Sequence, residues 1–196
     1  MASVVFVGAK GGVGTTTVTV LHALEAATNG LTVRLTATGA AGIGDLAAVL
    51  GVAEPAPGVA VQVVPGVSLA EEADPDAYTV VDGGTDTFSD HGGPVYLVVR
   101  NDYMALRRAL AAGPTTVGVV LVTDAGRSLG RRDVADVLAW PIVAELAVTP
   151  VIACRIDAGL LVGSRRPRLN LAVPICPEPR GSDEGQDSSA PTVMQG

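Results

Sequence analysis

Lysine is all but missing from this chain: of thirteen basic residues, the single lysine is Lys10 and the rest are arginine. Aromatic residues are scarce at 3%. The interior must therefore be assembled from Val, Leu, Ala and Ile, which suits a parallel sheet covered by helices on both faces. There are two cysteines, Cys154 and Cys176, and two histidines, His22 and His91. Neither type shows metal-ligand spacing, so a zinc site is not expected, and the thiols read as reduced thiols rather than a disulfide. No apolar run reaches the roughly 18 residues that would cross a bilayer. Met1-Ala2-Ser3 leads directly into Val4-Val5-Phe6-Val7 with no basic stretch before it. Neither a signal peptide nor a spanning segment is expected, and the expected compartment is the cytoplasm.

What is present is a chain of 196 residues, 48% apolar, with a mean hydropathy of +0.42. That is enough for one domain with a sizeable core. The net charge of −7 is unevenly spread. Residues 1–99 hold two basic and ten acidic side chains; residues 100–180 hold eleven arginines against seven acids; residues 181–196 hold three acids and no base. Binding of a polyanion by the whole surface is disfavoured, whereas a local basic face in the second half is possible on this count.

The hydrophobic patterning predicts strands at 3–8, 31–35, 59–64, 78–82, 94–99, 116–122 and 142–146, with helices at 15–29, 43–50, 103–112, 132–139 and 150–161. Alternation of this kind predicts a single-domain α/β fold. Its sheet is mostly parallel, its crossovers right-handed, and its helices cover both faces. The domain is expected to occupy residues 1–166. From Pro167 the pattern decays, and residues 167–196, polar, acidic and rich in Gly and Ser toward the end, read as a largely disordered tail.

The first strand runs straight into Gly8-Ala9-Lys10-Gly11-Gly12-Val13-Gly14-Thr15-Thr16-Thr17. A strand, a glycine-rich turn and a helix start together make a phosphate-binding device. Glycines let phosphate oxygens reach the backbone N–H groups, and the helix N-terminus adds free N–H groups and a partial positive charge. Gly11, Gly12 and Gly14 give the clearance, and Thr16 places a hydroxyl in the first turn, where such loops hold a Mg²⁺ ligand. A glycine-rich turn with no ligand is the alternative. Tyr78-Thr79-Val80-Val81-Asp82 reads as an apolar strand ending in a carboxylate, suited either to holding Mg²⁺ or simply to solvation at a strand end.

The loop resembles the deviant Walker A motif of the ParA/MinD family of P-loop ATPases, nearest in look to the variant of its pilus-assembly and septum-site members. Gly44-Asp45-Leu46-Ala47-Ala48-Val49-Leu50-Gly51, Pro141-Ile142-Val143-Ala144-Glu145-Leu146 and Ile156-Asp157-Ala158-Gly159-Leu160-Leu161 resemble further segments of that family. The resemblance implies ATP and Mg²⁺ as ligands. Lys10 would be the catalytic lysine, reaching a partner's phosphates across a homodimer; Lys10 to Thr17, that is Lys10, Gly11, Gly12, Val13, Gly14, Thr15, Thr16 and Thr17, would form the nucleotide loop. Thr16 and Asp82 would hold the metal. It implies a role in partitioning or spatial positioning, a possible protein partner, and possible non-specific DNA binding through the arginines of the second half. Contacts of that last kind should weaken steeply with salt; salt-insensitive retention would argue against them. No basic amphipathic helix closes the chain, so direct membrane binding is not expected.

Three departures from the family pattern stand out. Thr15 replaces the lysine that would touch the β- and γ-phosphates. No carboxylate lies between Val33 and Gly44, where the first switch normally carries its aspartates, and the nearest, Asp45, lies too far along. Only a loop is expected between Asp82 and Val95. Weak or absent ATP hydrolysis follows, with a non-hydrolysing scaffold or a DNA-partition ATPase as alternatives. Asp124, after the strand at 116–122, is a candidate base contact, and Trp140 is expected to serve packing.

Overall fold

The computed structural model describes residues 2–38, 42–86, 93–112, 116–162 and 170–171. In chain order the elements are β1 (Ser3–Gly8), α1 (Thr15–Thr28), β2 (Val33–Ala37), α2 (Ile43–Leu50), β3 (Val61–Val64), β4 (Val67–Leu69), β5 (Tyr78–Asp82), β6 (Val95–Arg100), α3 (Tyr103–Ala109), β7 (Thr116–Asp124), α4 (Arg131–Val137), β8 (Ile142–Val148), α5 (Pro150–Asp157) and β9 (Asn170–Leu171). They form one sheet in the order β3-β4-β2-β5-β1-β6-β7-β8-β9. Pairing is parallel except for β3 with β4 and β8 with β9. The architecture is the α/β sandwich that the patterning predicts, a mostly parallel sheet with helices on both faces.

The chain fills one side of β1 with β2 to β5, then the other with β6 to β9, so the order reverses at β1. In open α/β sheets ligands bind beyond the carboxyl ends of the strands at such a reversal. Here β1, β5 and β6 deliver Gly8, Asp82 and Arg100 to that edge.

Alternate residues of β1 serve opposite faces. Val4 and Phe6 join the large core cluster, while Val5 and Val7 pack with Val81 and Val95 in a smaller one. Helix α1 covers the Phe6 face. Its opening threonines are indifferent helix formers, so propensity does not account for it. Ten of its fourteen residues are buried, and that burial holds it. Two of its hydroxyls are satisfied within the helix, Thr19 Oγ1 donating to the Thr15 carbonyl at 3.0 Å and Thr28 Oγ1 to the Leu24 carbonyl at 2.8 Å. His22 packs edge-on to Phe6 at 5.1 Å between ring centroids, and its Nε2 is 3.0 Å from the Tyr78 hydroxyl. Burial alone lowers the His22 pKa to about 4.

Boundaries shift for identifiable reasons. The second strand starts at Val33 rather than Leu31 because the end of α1 consumes Leu31. Gly30 takes φ 91° and its N–H bonds the Ala27 carbonyl, while the Leu31 N–H bonds the Ala26 carbonyl at 3.2 Å, the paired bonds of a left-handed helix stop. The sequence reading missed β4, which returns after a two-residue turn at Pro65-Gly66 and is only three residues long. Asn170–Leu171, inside the segment expected to be a tail, pairs with β8; the rest of residues 163–196 lies outside the described residues, as does 87–92 of the loop expected between Asp82 and Val95. Trp140 packs against the core.

Candidate functional site

The glycine-rich loop leaves the sheet at its centre. The Gly8 N–H donates to the Gly84 carbonyl at 2.7 Å and the Ala9 N–H to the Val98 carbonyl at 3.0 Å, so both neighbouring strands anchor the root of the loop. There is no space for a side chain at Gly8: a Cβ there would lie 2.4 Å from Thr15 Oγ1 and 2.9 Å from Val13 Cγ2. The loop ends at Gly14, whose φ of 98° is open to glycine and strained for other residues.

Gly14 begins α1 without a side-chain cap, and the first intrahelical bond runs from the Val18 N–H to the Gly14 carbonyl. The N–H groups of Thr15, Thr16 and Thr17 therefore have no helical partner. Helix α2 likewise starts from a glycine, Gly42, with no side-chain cap. Of the other three helices, α3 and α5 carry side-chain caps, and α4 opens on Gly130 without one. Asp102 caps α3 at 2.8 Å from the Ala105 N–H, Thr149 caps α5, and Asp133 turns back on the Gly130 N–H ahead of α4. Of the uncapped helices, α1 and α2 both bring first-turn residues to one cavity.

That cavity has a volume of about 330 Å³. It is lined by Lys10, Gly11, Gly12, Gly14, Thr15 and Thr16 from the loop, by Asp82, Gly84 and Thr85 from the end of β5, and by Asp45 from α2. Of the residues singled out in the sequence, Val13 and Thr17 are not in it. They line a second cavity, about 320 Å³, on the far side of Gly12 and Gly14, whose other walls are mostly apolar: Val122, Leu146, Val148, Ala153 and Ile156, with Arg100 and Asp157. The loop thus separates a polar chamber from an apolar one.

Several positions went unrecognised or misjudged in the sequence. Asp45 reaches the polar chamber, because α2 begins at Ile43 and its first turn faces the loop. Distance along the chain was a poor guide here; the turn of a helix sets the direction. Arg100 braces the loop from beneath. Its Nη1 donates to the Gly12 carbonyl at 3.1 Å, while Nε and Nη2 grip the Asp124 carboxylate at 2.7 and 2.8 Å. Arg127 adds a contact to Asp124 at 3.5 Å. The hydrogen bond from Arg100, with its charge, holds the Asp124 pKa low. Asp124 is committed to these arginines and does not line the second cavity, which counts against the base contact expected of it. Lys10 Nζ lies 3.7 Å from Asp102, the cap of α3.

Asp82 is 1% exposed. Its Oδ1 accepts from the Gly84 N–H at 3.0 Å, but Oδ2 is buried with no hydrogen-bond partner. Burial raises the Asp82 pKa; the nearby Thr16 hydroxyl and the Gly84 N–H oppose this, and the Asp45 charge adds to it. A buried carboxylate oxygen without a donor is costly unless a cation meets it. With the Thr16 hydroxyl beside it, it makes a hard-oxygen donor set that fits Mg²⁺.

Several solved structures share this arrangement of strands and helices. A ParA family ATPase from Chlorobium tepidum superposes with a TM-score of 0.69 at 15% identity, over 82% of this chain and 90% of that one. MinD in the MinC:MinD cell division complex of Aquifex aeolicus gives 0.64 at 18% identity, over 81% and 86%. The septum site-determining protein MinD of Pyrococcus horikoshii, complexed with Mg-ADP, gives 0.61 at 19% identity, over 81% and 86%. The fold is that of the MinD and ParA ATPases. The sequence matches no family model and no curated protein, so the likeness to these MinD and ParA structures is one of fold.

On this MinD/ParA-like scaffold the second-half arginines differ in their surroundings. Arg100 is committed to Asp124, whereas Arg107, Arg108, Arg131 and Arg132 are exposed, Arg132 within 3.9 Å of Asp136. Arg165, Arg166 and Arg168 lie outside the described residues. Among the described residues no helix is long and apolar enough to cross a membrane.

Proposed function

We propose that this chain binds ATP with Mg²⁺ in the polar chamber and acts as a MinD/ParA-like nucleotide-dependent homodimer in partitioning or spatial positioning. The observation that carries the reading is the uncapped amino end of α1, where Thr15 and Thr16 have N–H groups with no helical partner and line a chamber that also holds the donorless Asp82 Oδ2. Amides and the helix dipole there favour phosphate. Gly11, Gly12 and Gly14 let it approach, and Thr16 with Asp82 hold the cation, which neutralises phosphate charge when bound. The apolar chamber behind Val13 and Thr17 receives the nucleoside. Lys10 contacts phosphate, in the same chain or across the dimer, once it leaves Asp102.

Hydrolysis is slow or absent in this reading. Thr15, at the position of the second loop lysine, is packed against Gly8, and Lys10 is held by an acid. These two features also favour a second reading, a non-hydrolysing scaffold that binds nucleotide to fix its shape or a protein partner. DNA partition remains the third role, resting on the exposed arginines of α3 and α4.

Calorimetric titration with ATP–Mg²⁺ tests the binding. Wild type is expected to take up one nucleotide per chain, and Lys10→Ala to bind about tenfold or more weakly, given roughly 1.5–3 kcal/mol for a charge-assisted hydrogen bond. Mass by light scattering should double with ATP, and turnover should fall below the ordinary kinase range of about 1–100 s⁻¹. Absence of binding by wild type would remove the proposal; turnover in that range would remove its claim of weak hydrolysis.

A further inference from the structure

The missing switch aspartates leave the polar chamber short of a second acid on the side away from β5. The structure supplies one from elsewhere. Asp45 is on the first turn of α2, faces the same chamber as Thr16 and Asp82, and lies close enough to Asp82 for its charge to act on that carboxyl. Asp45 is exposed at the helix start, and three further facts bear on what it can meet there. Asp45 has an open chamber in front of it, no ion pair involving it is present among the described residues, and the acid it faces is buried with one oxygen lacking any donor. Two carboxylates converging on phosphate-binding amides repel each other and any phosphate that enters. A divalent cation between them reverses the sign of both interactions.

We propose that Asp45 is a cation-facing carboxylate of this site, taking, from the first turn of α2, the place left by the absent acids of the β2–α2 connection, and that with Asp82 it makes nucleotide binding depend on the metal. The inference rests on the nucleotide-binding reading of the chamber. It makes the chamber a two-acid site for a magnesium nucleotide, in which Asp45 would join Thr16 and Asp82 in facing the metal.

The test compares wild type, Asp45→Asn and Asp45→Glu in calorimetric titrations with ADP, once with Mg²⁺ and once with EDTA. Removing the Asp45 charge should have opposite effects in the two conditions. In EDTA, Asp45→Asn should bind ADP several-fold more tightly, because repulsion is relieved. With Mg²⁺ it should bind roughly tenfold more weakly, because the cation loses a ligand, and Asp45→Glu should recover part of that loss. Mn²⁺ titrated into the ADP complex and followed by electron paramagnetic resonance should show the same weakening without any turnover. An equal or tighter affinity of Asp45→Asn for ADP in Mg²⁺, with Mn²⁺ binding unchanged, would overturn the inference and leave nucleotide binding standing. Failure of wild type to bind ADP in either condition would overturn the nucleotide reading and this inference with it.

Discussion

Gly8→Ala is expected to cost about 1–3 kcal/mol of stability, the usual range for an added group in a filled site, and to reduce ATP affinity at least tenfold. The alanine methyl would meet Thr15 Oγ1 at 2.4 Å, Val13 Cγ2 at 2.9 Å and the Lys10 carbonyl at 3.1 Å. One of these is backbone and cannot swing away. The loop must move, and with it the amides of Gly11 to Thr16 that the account places on phosphate. A second substitution makes the cause visible. In Gly8→Ala/Thr15→Ala the hydroxyl that collides first is gone, so part of the stability should return, with a coupling in the range of about 0.5–3 kcal/mol expected of touching residues. Recovery stays incomplete because the Val13 and Lys10 contacts persist. Urea midpoints and ATP titrations of Gly8→Ala, Thr15→Ala and the double variant provide the check. A Gly8→Ala protein with wild-type affinity would show that the loop geometry does not govern binding.

The second large effect is on acid stability. His22 is fully buried between Phe6 and Tyr78, and its pKa of about 4 lies well below the usual 6.5 of an exposed imidazole. Between those values the unfolded chain binds the proton and the folded chain does not, so protons favour unfolding. The stabilising difference is complete above pH 6.5 and is lost as the pH falls toward 4, by about 3 kcal/mol in all at 1.36 kcal/mol per pK unit. Asp82 acts the other way: its raised pKa makes the folded chain the better proton binder, so its contribution grows as pH falls. The His22 part is therefore read as the difference between wild type and His22→Leu in urea unfolding at pH 7 and pH 4.5. The variant should lose the steeper acid decline. Equal declines in the two proteins would show that His22 is not the responsible group.

How much of this was legible in the residues follows from the range of the forces involved. The strands of a buried parallel sheet are continuous apolar runs, and Ser3–Gly8, Tyr78–Asp82 and Thr116–Asp124 stand out as such. The glycine loop is local, so Lys10 to Thr17 could be picked from spacing alone. What spacing could not show is direction. Val13 and Thr17 belong to the same run yet face the apolar chamber. Asp45 appears too late in sequence, and only the start of α2 at Ile43 places it, still exposed, at the rim of the polar chamber. The partners of the charged groups were invisible for the same reason. Arg100 with Asp124, and Lys10 with Asp102, meet because β6 and β7 run side by side and β6 ends next to the loop. Asp124 looked free for a nucleotide base until the neighbouring strand supplied its guanidinium.

Whether phosphate meets the amides at the start of α1 can be observed directly. In ¹⁵N-labelled protein titrated with ADP–Mg²⁺, the backbone N–H signals of Gly11, Gly12, Gly14, Thr15 and Thr16 should show the largest shifts in the chain. Methyl signals of Val122, Leu146 and Val148 should follow as the nucleoside enters the apolar chamber. Shifts confined to other surfaces, with these five amides unmoved at saturating nucleotide, would contradict the account.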